Sequence, residues 1–113
     1  MEAQSSIVYL YGFSLRQRDK LETLLKILKE QVESKIEINV VMIHDGVIGT
    51  TLKEKTPELL KELLDLCINL YAIIPDLKAR GMDPKDMIDK IKGLDYNGLV
   101  DLLVHNEKIV SWM

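Results

Sequence analysis

Apolar residues follow two alternating spacings along the chain. Residues 7–11 are apolar at every position, and residues 36–43 and 68–74 are rich in Ile, Val and Leu. Such segments are typical of strands in a parallel sheet that is covered by helices on both faces. Between them, apolar residues recur three and four positions apart, as on one face of a helix. The pattern predicts an α/β protein with an open, mainly parallel sheet of four to five strands.

The first two predicted helices follow residue types that commonly begin helices. Ser14 lies three residues before Gln17, which is the spacing of a capping box. Thr56 and Pro57 predict a second start, with Thr56 as the N-cap and Pro57 as the first helical residue. Each start precedes an apolar stripe; the stripes are Leu21, Leu24, Leu25, Leu28 and Val32, and then Leu60, Leu63, Leu64 and Cys67.

Two short helical segments are predicted after the third strand. Residues 76–81 predict a helical turn that is closed by Gly81. Asp83 and Pro84 then predict the start of another short helix. The apolar face of that helix would consist of Met87, Ile88 and Ile91.

The chain closes with one more helix and one more strand. Asp95 predicts the N-cap of the helix, and residues 108–112 predict the strand. The apolar stripe of the last helix consists of Tyr96, Leu99, Val100 and Leu103. This stripe is expected to lie in the core, and it becomes a partner surface only where it is exposed.

Composition narrows the class of protein. The chain has 113 residues, is 47% hydrophobic and carries a formal net charge of −3. This length predicts one domain over residues 1–113, and the acidic balance argues against direct nucleic-acid binding. A single cysteine excludes an internal disulfide. No apolar stretch reaches about 20 residues, and the first residues do not resemble a signal peptide. We therefore expect a cytoplasmic protein with no membrane partner.

Functional sites of open parallel sheets usually lie at the carboxyl ends of the strands. Here that edge is predicted to present residues 12–16, 44–49 and 75–80. His44 and Asp45 have the residue types of a catalytic pair, but an Asp before a Gly is more simply explained as a turn. The interface or pocket candidates are His44, Asp45, Gly46, Asp76, Arg80 and Trp112.

The sequence contains no motif for a nucleotide, a metal or a hydrolytic nucleophile. It has no G-x-G-x-x-G, no G-x-x-x-x-G-K-[ST] and no G-x-S-x-G. His44, His105 and Cys67 do not have the spacing of metal ligands. The sequence therefore predicts no cofactor and no metal site.

Cys67 is the only cysteine and a weak candidate for a catalytic residue. It continues the stripe of the second helix into an apolar strand. Its neighbours Leu66 and Ile68 offer no positive charge to stabilise a thiolate. The pattern favours a small buried hydrophobic residue near the start of the third strand, away from the predicted functional edge.

Three segments, in this order, resemble one known family. They are the Asp-Gly-Val of residues 45–47, the LYAIIPDLKARG of residues 70–81, and the YNGLVDLLVH of residues 96–105 followed by the Ile-Val-Ser-Trp of residues 109–112. Together they resemble the DsrE/DsrF/DsrH superfamily, in particular its DsrH/TusB-like branch. The resemblance implies a three-layer α/β/α fold and a role in sulfur relay, in which a complex passes persulfide sulfur between cysteines.

The resemblance also implies partners. TusB-like subunits join TusC-like and TusD-like subunits to deliver sulfur for 2-thiouridine in tRNA, and DsrH-like relatives work with DsrE and DsrF in sulfur oxidation. The sulfur-carrying cysteines of such relatives correspond here to Ile73 and to the stretch of Leu24 and Leu25. Cys67 matches neither position.

We therefore expect a subunit of a sulfur-relay complex that is not itself an enzyme. Its partners would be DsrE/TusD-like and DsrF/TusC-like proteins, or further copies of itself. Two alternatives stay open: a sulfurtransferase that uses Cys67 directly, and a stand-alone homo-oligomeric binding protein that has kept the fold.

Overall fold

The computed structural model describes residues 5–113 and contains one five-stranded sheet of order β4-β3-β2-β1-β5. Every pairing between neighbouring strands is parallel. The elements are β1 (Ser6–Tyr11), α1 (Arg18–Gln31), β2 (Glu37–Met42), α2 (Glu58–Leu64), β3 (Asn69–Ile73), α3 (Ile74–Ala79), β4 (Ile91–Leu94), α4 (Tyr96–Val104) and β5 (Lys108–Trp112). None of the helices within residues 5–113 has the length and apolarity required to span a membrane.

The order of the strands explains how the helices form two layers. The chain moves from β1 through β2 and β3 to β4 in one direction across the sheet, and then returns past β1 to β5. Because parallel crossovers are right-handed, a reversal of direction places the returning helix on the opposite face. Helices α1 and α2 therefore cover one face and α4 covers the other, which confirms the predicted three-layer α/β/α fold.

The face that carries α1 and α2 holds most of the buried side chains. The predicted stripe of α1 is confirmed, with Leu21, Leu24, Leu25 and Leu28 buried. Leu60 and Leu63 of α2 join the same cluster. These leucines pack on the inward side chains of the sheet, among them Ile7, Tyr9, Tyr11, Ile38, Val40, Met42, Leu70 and Ala72.

Of the helices within residues 5–113, α4 is the one that covers the opposite face. Its buried cluster consists of Val8, Val41, Ile43 and Ile73, and the α4 residues that pack on it, Leu99, Leu102 and Leu103, are only partly buried. No residue of α4 itself is buried. The predicted stripe of α4 is thus divided: Leu99 and Leu103 face the sheet, whereas Tyr96 and Val100 are exposed.

Helix starts agree with the predictions at one helix and differ at two. The Asp95 side chain accepts the Gly98 N–H at 2.7 Å, so the predicted N-cap of α4 is confirmed. The predicted capping box of α1 is wrong, because its N-cap is Gln17 without a side-chain cap and the Ser14 hydroxyl instead accepts the Arg16 N–H. In α2 the N-cap is Pro57 and not Thr56. A helix start supported by burial of its apolar face does not require a side-chain cap.

The short helix predicted to begin at Asp83 and Pro84 is wrong. Asp83 does accept the Lys85 N–H, but only one 3₁₀ turn, Pro84–Asp86, follows. Met87 then forms an antiparallel bridge with Thr51. Ile91 begins β4, which pairs with β3 from Leu70 onward. This strand pairs with the edge of β3 that would otherwise be open. The backbone hydrogen bonds that it forms there favour a strand more strongly than three apolar residues at helical spacing favour a helix.

Candidate functional site

The turn that follows β2 lies at the carboxyl edge of the sheet and begins the candidate site. It is a single 3₁₀ turn, His44–Val47. Gly46 in this turn is buried, and a Cβ atom at this position would overlap the carbonyl oxygen of Tyr11. Only glycine allows the turn to approach the end of β1 so closely. The predicted role of Gly46 as a turn residue is therefore set by a contact with another strand.

Asp76 connects this turn to the helices that follow β3 and β4. Its Oδ2 accepts the backbone N–H of His44 at 2.8 Å, and its Oδ1 accepts the Tyr96 hydroxyl at 3.3 Å. The negative charge of Asp76 raises the pKa of Tyr96, with smaller contributions from desolvation and the hydrogen bond. One carboxylate in α3 thus holds both the turn after β2 and the first residue of α4.

Arg80 and Asp45 form a second link across the same edge. The Nε and Nη2 atoms of Arg80 donate to Asp45 Oδ1 at 3.1 and 3.0 Å, and Nη1 donates to the carbonyl oxygen of Asp76 at 3.2 Å. The Arg80 side chain is 27% exposed. Its planar guanidinium donates in a fixed geometry, so it fixes the distance between the end of α3 and the turn.

His44 has an unusual backbone conformation within this arrangement. Its φ of 51° lies in the left-handed region, which costs a residue other than glycine about 1–2 kcal/mol. The hydrogen bond from its N–H to Asp76 stabilises this conformation. As a result the imidazole lies on the exposed surface of the edge. Strained residues of this kind concentrate at functional sites.

The structure brings together five of the six predicted interface or pocket residues. His44, Asp45, Gly46, Asp76 and Arg80 occupy neighbouring turns at the carboxyl ends of β2 and β3. Trp112 does not join them. It ends β5, two strands away from β2, or about 10 Å across the sheet. There it lies half-buried with its ring 6.1 Å from that of Tyr11.

Tyr96 belongs to this site and was missed by the sequence analysis. The helical spacing assigned it to the core stripe of α4, whereas its side chain is 56% exposed and its hydroxyl binds Asp76. The available signal was its place directly after the Asp95 cap. That signal indicates the carboxyl edge only once Ile91–Leu94 is known to be a strand. We refer to His44, Asp45, Asp76, Arg80 and Tyr96 as the edge cluster.

Most of the chain matches one known protein family. Residues 14–109 match the sequence model of the family described as "DsrH like protein". The chain belongs to the DsrH-like family. It is 33% identical to Protein TusB of Pectobacterium atrosepticum over 81% of this chain and 86% of that protein. It is 30% identical to Protein TusB of Buchnera aphidicola over 84% of this chain and 94% of that protein.

Solved structures confirm the fold of this DsrH-like chain. A Methanobacterium thermoautotrophicum protein of unknown function superposes with a TM-score of 0.75 at 17% identity and covers 96% of this chain and 99% of its own. The ychN protein of E. coli superposes with a TM-score of 0.72 at 13% identity and covers 97% of this chain and 100% of its own. At these identities the likeness establishes the architecture.

The edge cluster of this DsrH-like chain contains binding groups and no thiol. The side chains it contributes are two carboxylates, a guanidinium, an imidazole and a phenol. Ile73, the residue expected to correspond to one sulfur-carrying position, is fully buried at the end of β3. Leu24, in the stretch expected to correspond to the other position, is fully buried in α1. Within residues 5–113, no three His, Cys, Asp or Glu side chains are arranged to hold a metal ion. The edge can bind and orient a charged group, and it cannot carry sulfur covalently.

Cys67 lies at the opposite edge, and the prediction that it is buried is wrong. Helix α2 ends at Leu64, so Cys67 falls in the connection to β3 and is exposed. It lines an open cleft of about 980 Å³ together with two lysines and two glutamates, Lys35, Lys90, Glu33 and Glu37. Its predicted place near the start of the third strand is confirmed. Six residues of extended chain, or about 20 Å, separate it from Ile73.

A chain of asparagine side chains also lies at the amino edge. The Asn69 amide donates to Asn39 at 2.9 Å, the Asn39 amide donates to Asn106 at 3.0 Å, and the Asn106 amide donates to the carbonyl oxygen of Leu102 at 2.7 Å. Asn39 is only 2% exposed, so these bonds satisfy a buried polar group. The chain connects the sheet to the carboxyl end of α4, and no spacing in the sequence indicated it.

Proposed function

We propose that this DsrH-like chain is a non-catalytic subunit of a sulfur-relay complex. Its partners would be DsrE/TusD-like and DsrF/TusC-like proteins, and the sulfur would serve tRNA 2-thiolation or sulfur oxidation. The observation that carries the proposal is the edge cluster without a thiol. The positions expected to hold sulfur-carrying cysteines are buried aliphatic residues, and the single cysteine lies at the other end of the sheet.

The exposed side of α4 supports assembly with such partners. Tyr96, Val100 and Val104 are 56%, 56% and 74% exposed. They are four residues apart, so they form one apolar stripe along the helix. We call these three residues the α4 stripe. Its first member, Tyr96, also belongs to the edge cluster, so a partner that covers the stripe would place its own surface beside His44 and Arg80.

The edge cluster would then support a persulfide carried by the partner. A thiolate or persulfide is an anion, and nearby cations and hydrogen-bond donors stabilise it. Arg80 is held at the edge by its ion pair with Asp45, so a persulfide would compete with Asp45 for the guanidinium, and the exposed imidazole of His44 provides a further donor. Asp76 holds both at the edge, since it accepts the His44 N–H and its carbonyl oxygen accepts Arg80. In this arrangement the sulfur moves between partner cysteines, and this chain positions them.

Co-expression with DsrE/TusD-like and DsrF/TusC-like proteins of the same genome tests assembly. We expect the three chains to co-purify and Val100→Glu to weaken their association at least about tenfold. Leu52→Glu is the matched control, because Leu52 is 66% exposed but lies outside α4. A homo-oligomer that binds neither partner would contradict the proposal and favour the stand-alone binding protein.

Sulfur transfer in the assembled complex tests the edge cluster. We expect Arg80→Gln and His44→Ala to slow transfer between partner cysteines while the subunit composition stays unchanged. Cys67→Ser should transfer sulfur at the normal rate. A complex that assembles and transfers sulfur equally well with both edge variants would show that the chain is structural only.

A second candidate function is supported by the exposure of Cys67. Its thiol lines a cleft together with Lys35, Lys90, Glu33 and Glu37, so a persulfide donor can reach it, and a thiolate is the form of cysteine that attacks sulfur. In a direct sulfurtransferase, that thiolate would take the outer sulfur of a donor persulfide, and the donor would leave as a thiolate. Intact-mass measurement after incubation with a persulfide donor would then show one added sulfur atom, absent in Cys67→Ser. An unchanged mass of the wild-type chain would exclude this function.

A further inference from the structure

A cavity separate from the edge cluster lies between the loop after β1 and the start of α2. Its volume is about 330 Å³. Three cationic side chains line it: Arg16, Arg18 and Lys55. The apolar side chains of Leu15, Pro57 and Leu59 form the rest of the wall, together with Thr56 and Glu58. The cavity thus combines a strongly basic part with an apolar part.

The negative charges around this cavity are largely engaged elsewhere. Glu58, the one acidic residue in the wall among residues 5–113, pairs with Lys61 at 3.3 Å. Glu54 uses its Oε2 to accept the Gly49 N–H at 3.1 Å and the Thr51 hydroxyl at 2.9 Å. Only its Oε1 faces Arg16, at 3.6 Å, which is longer than a hydrogen bond.

The second arginine is equally weakly paired. Arg18 Nε lies 3.8 Å from Glu22 Oε2, on the exposed surface of α1. By contrast, Arg80 in the edge cluster donates to Asp45 at 3.0 and 3.1 Å. Among residues 5–113, no carboxylate lies at hydrogen-bond distance from the guanidinium groups of Arg16 and Arg18, and Arg16 Nη2 donates to the carbonyl oxygen of Lys55 at 3.5 Å.

We propose that this cavity binds a phosphate or phosphomonoester group of a small molecule. Guanidinium groups donate in a fork that matches the oxygens of phosphate, and Lys55 adds a point charge. Arg18 is also the first residue of α1, whose positive end favours an anion. The apolar wall formed by Leu15, Pro57 and Leu59 would contact the organic part of the ligand. This site is independent of the sulfur-relay proposal.

A titration followed by ¹H–¹⁵N NMR tests the proposal with inorganic phosphate and with phenyl phosphate, whose organic part is apolar, at constant ionic strength. We expect saturable shifts concentrated at residues 15–18 and 55–59. Arg16→Gln and Arg18→Gln should each weaken binding about tenfold, as expected for one charge-assisted hydrogen-bonded contact. Tighter binding of phenyl phosphate would show that the apolar wall contributes, and equal binding would assign the site to the phosphate group alone.

Lys26→Gln is the matched control. Lys26 also pairs with Glu22 one helical turn away, at 4.0 Å, but it does not line the cavity. Lys26→Gln removes the same charge and the same type of ion pair as Arg18→Gln. Because Lys26 does not line the cavity, we expect this substitution to leave phosphate binding unchanged. Shifts that do not saturate, or equal weakening by Arg18→Gln and Lys26→Gln, would overturn the proposal. All three residues are exposed, so none of these substitutions removes a buried contact.

Discussion

The two faces of the sheet differ in how completely they are covered. On one face, α1 contributes four buried leucines and α2 two. On the other face, α4 contributes no buried residue and presents the α4 stripe to the surface. The burial of aliphatic side chains is the main favourable term in folding. The first face therefore supplies most of the stability of the chain, and the second has apolar surface left for a partner.

The difference also concerns polar groups. On the α4 face, the asparagine chain lies at the amino edge of the sheet, next to the last turn of α4. The Tyr96–Asp76 contact lies at the carboxyl edge of the sheet, next to the first turn of α4. These directional contacts fix the position of α4 although few of its side chains are buried. A helix held at both ends by hydrogen bonds can keep its outer side free. The α1 and α2 face is organised by packing and the α4 face by anchoring.

Substitution of a core leucine on the α1 and α2 face should cause the largest loss in the free energy of unfolding. Leu24 is fully buried against the sheet, and Leu24→Ala should lower the free energy of unfolding by about 2–5 kcal/mol because it leaves a cavity. The matched variant on the other face is Leu102→Ala, which removes a partly buried side chain and should cost clearly less. Urea denaturation measures both. Equal losses would show that the two faces stabilise the chain equally.

Ionisation of Tyr11 at high pH should have an intermediate effect on the free energy of unfolding. Burial, with a smaller contribution from the charge of Asp19, raises the pKa of Tyr11 to about 12. Between pH 10 and 12 the unfolded chain loses this proton while the folded chain keeps it, so stability should fall as the pH rises through this range. Tyr11→Phe should remove on the order of 1–2 kcal/mol of that fall at pH 12.

The same substitution makes a further test at neutral pH. The Tyr11 hydroxyl is buried and has no hydrogen-bond partner within the described residues. Tyr11→Phe should therefore not lower stability at pH 7. Tyr9→Phe is the control, since it removes a hydroxyl that donates to Gln31 and should cost about 1 kcal/mol. A parallel pH dependence in the wild type and Tyr11→Phe would contradict the assignment.

The helix caps should give the smallest effect. Asp95→Ala removes the side chain that accepts the Gly98 N–H and should destabilise α4 by about 1 kcal/mol. Gln17→Ala at the corresponding position of α1 should change stability by less than about 0.5 kcal/mol, because Gln17 makes no side-chain cap. Thermal unfolding can compare the two. A larger loss for Gln17→Ala would show that α1 also depends on its first turn.

Long, regular patterns in the sequence predicted the fold well. The apolar runs of residues 7–11 and 36–43 became β1 and β2, and the four leucines of the predicted α1 stripe became its buried face, whereas Val32 is the C-cap and only partly buried. Residues 108–112 form the predicted last strand. These segments are correctly predicted because burial of a continuous apolar face outweighs other local preferences.

The carboxyl edge was predicted in part for a similar reason. Once the strands are parallel, the residues that follow β2 and β3 must meet, so His44, Asp45 and Arg80 could be placed together. The hydrogen bond of Asp76 to Tyr96 could not be predicted, since it depends on β4 being a strand. That strand has only four residues, and its partner β3 decides its conformation.

Cys67 shows how a short error in a helix boundary changes a functional conclusion. The spacing of Leu60, Leu63, Leu64 and Cys67 suits a helix that continues to residue 67. The helix ends at Leu64, and the chain must turn there to enter β3. The thiol is therefore exposed in a cleft and not packed in the core.

Periodicity in the amino-acid sequence was sufficient for the class of fold, the face that α1 buries, the carboxyl edge and the lack of a cysteine at that edge, because all of these follow from residue types and regular spacing. The tertiary structure was needed for the strand at Ile91–Leu94, the edge cluster around Asp76, the exposure of the α4 stripe and of Cys67, and the basic cavity at Arg16 and Arg18. Each of these depends on contacts between residues far apart in the chain, and their energies do not appear in any local pattern.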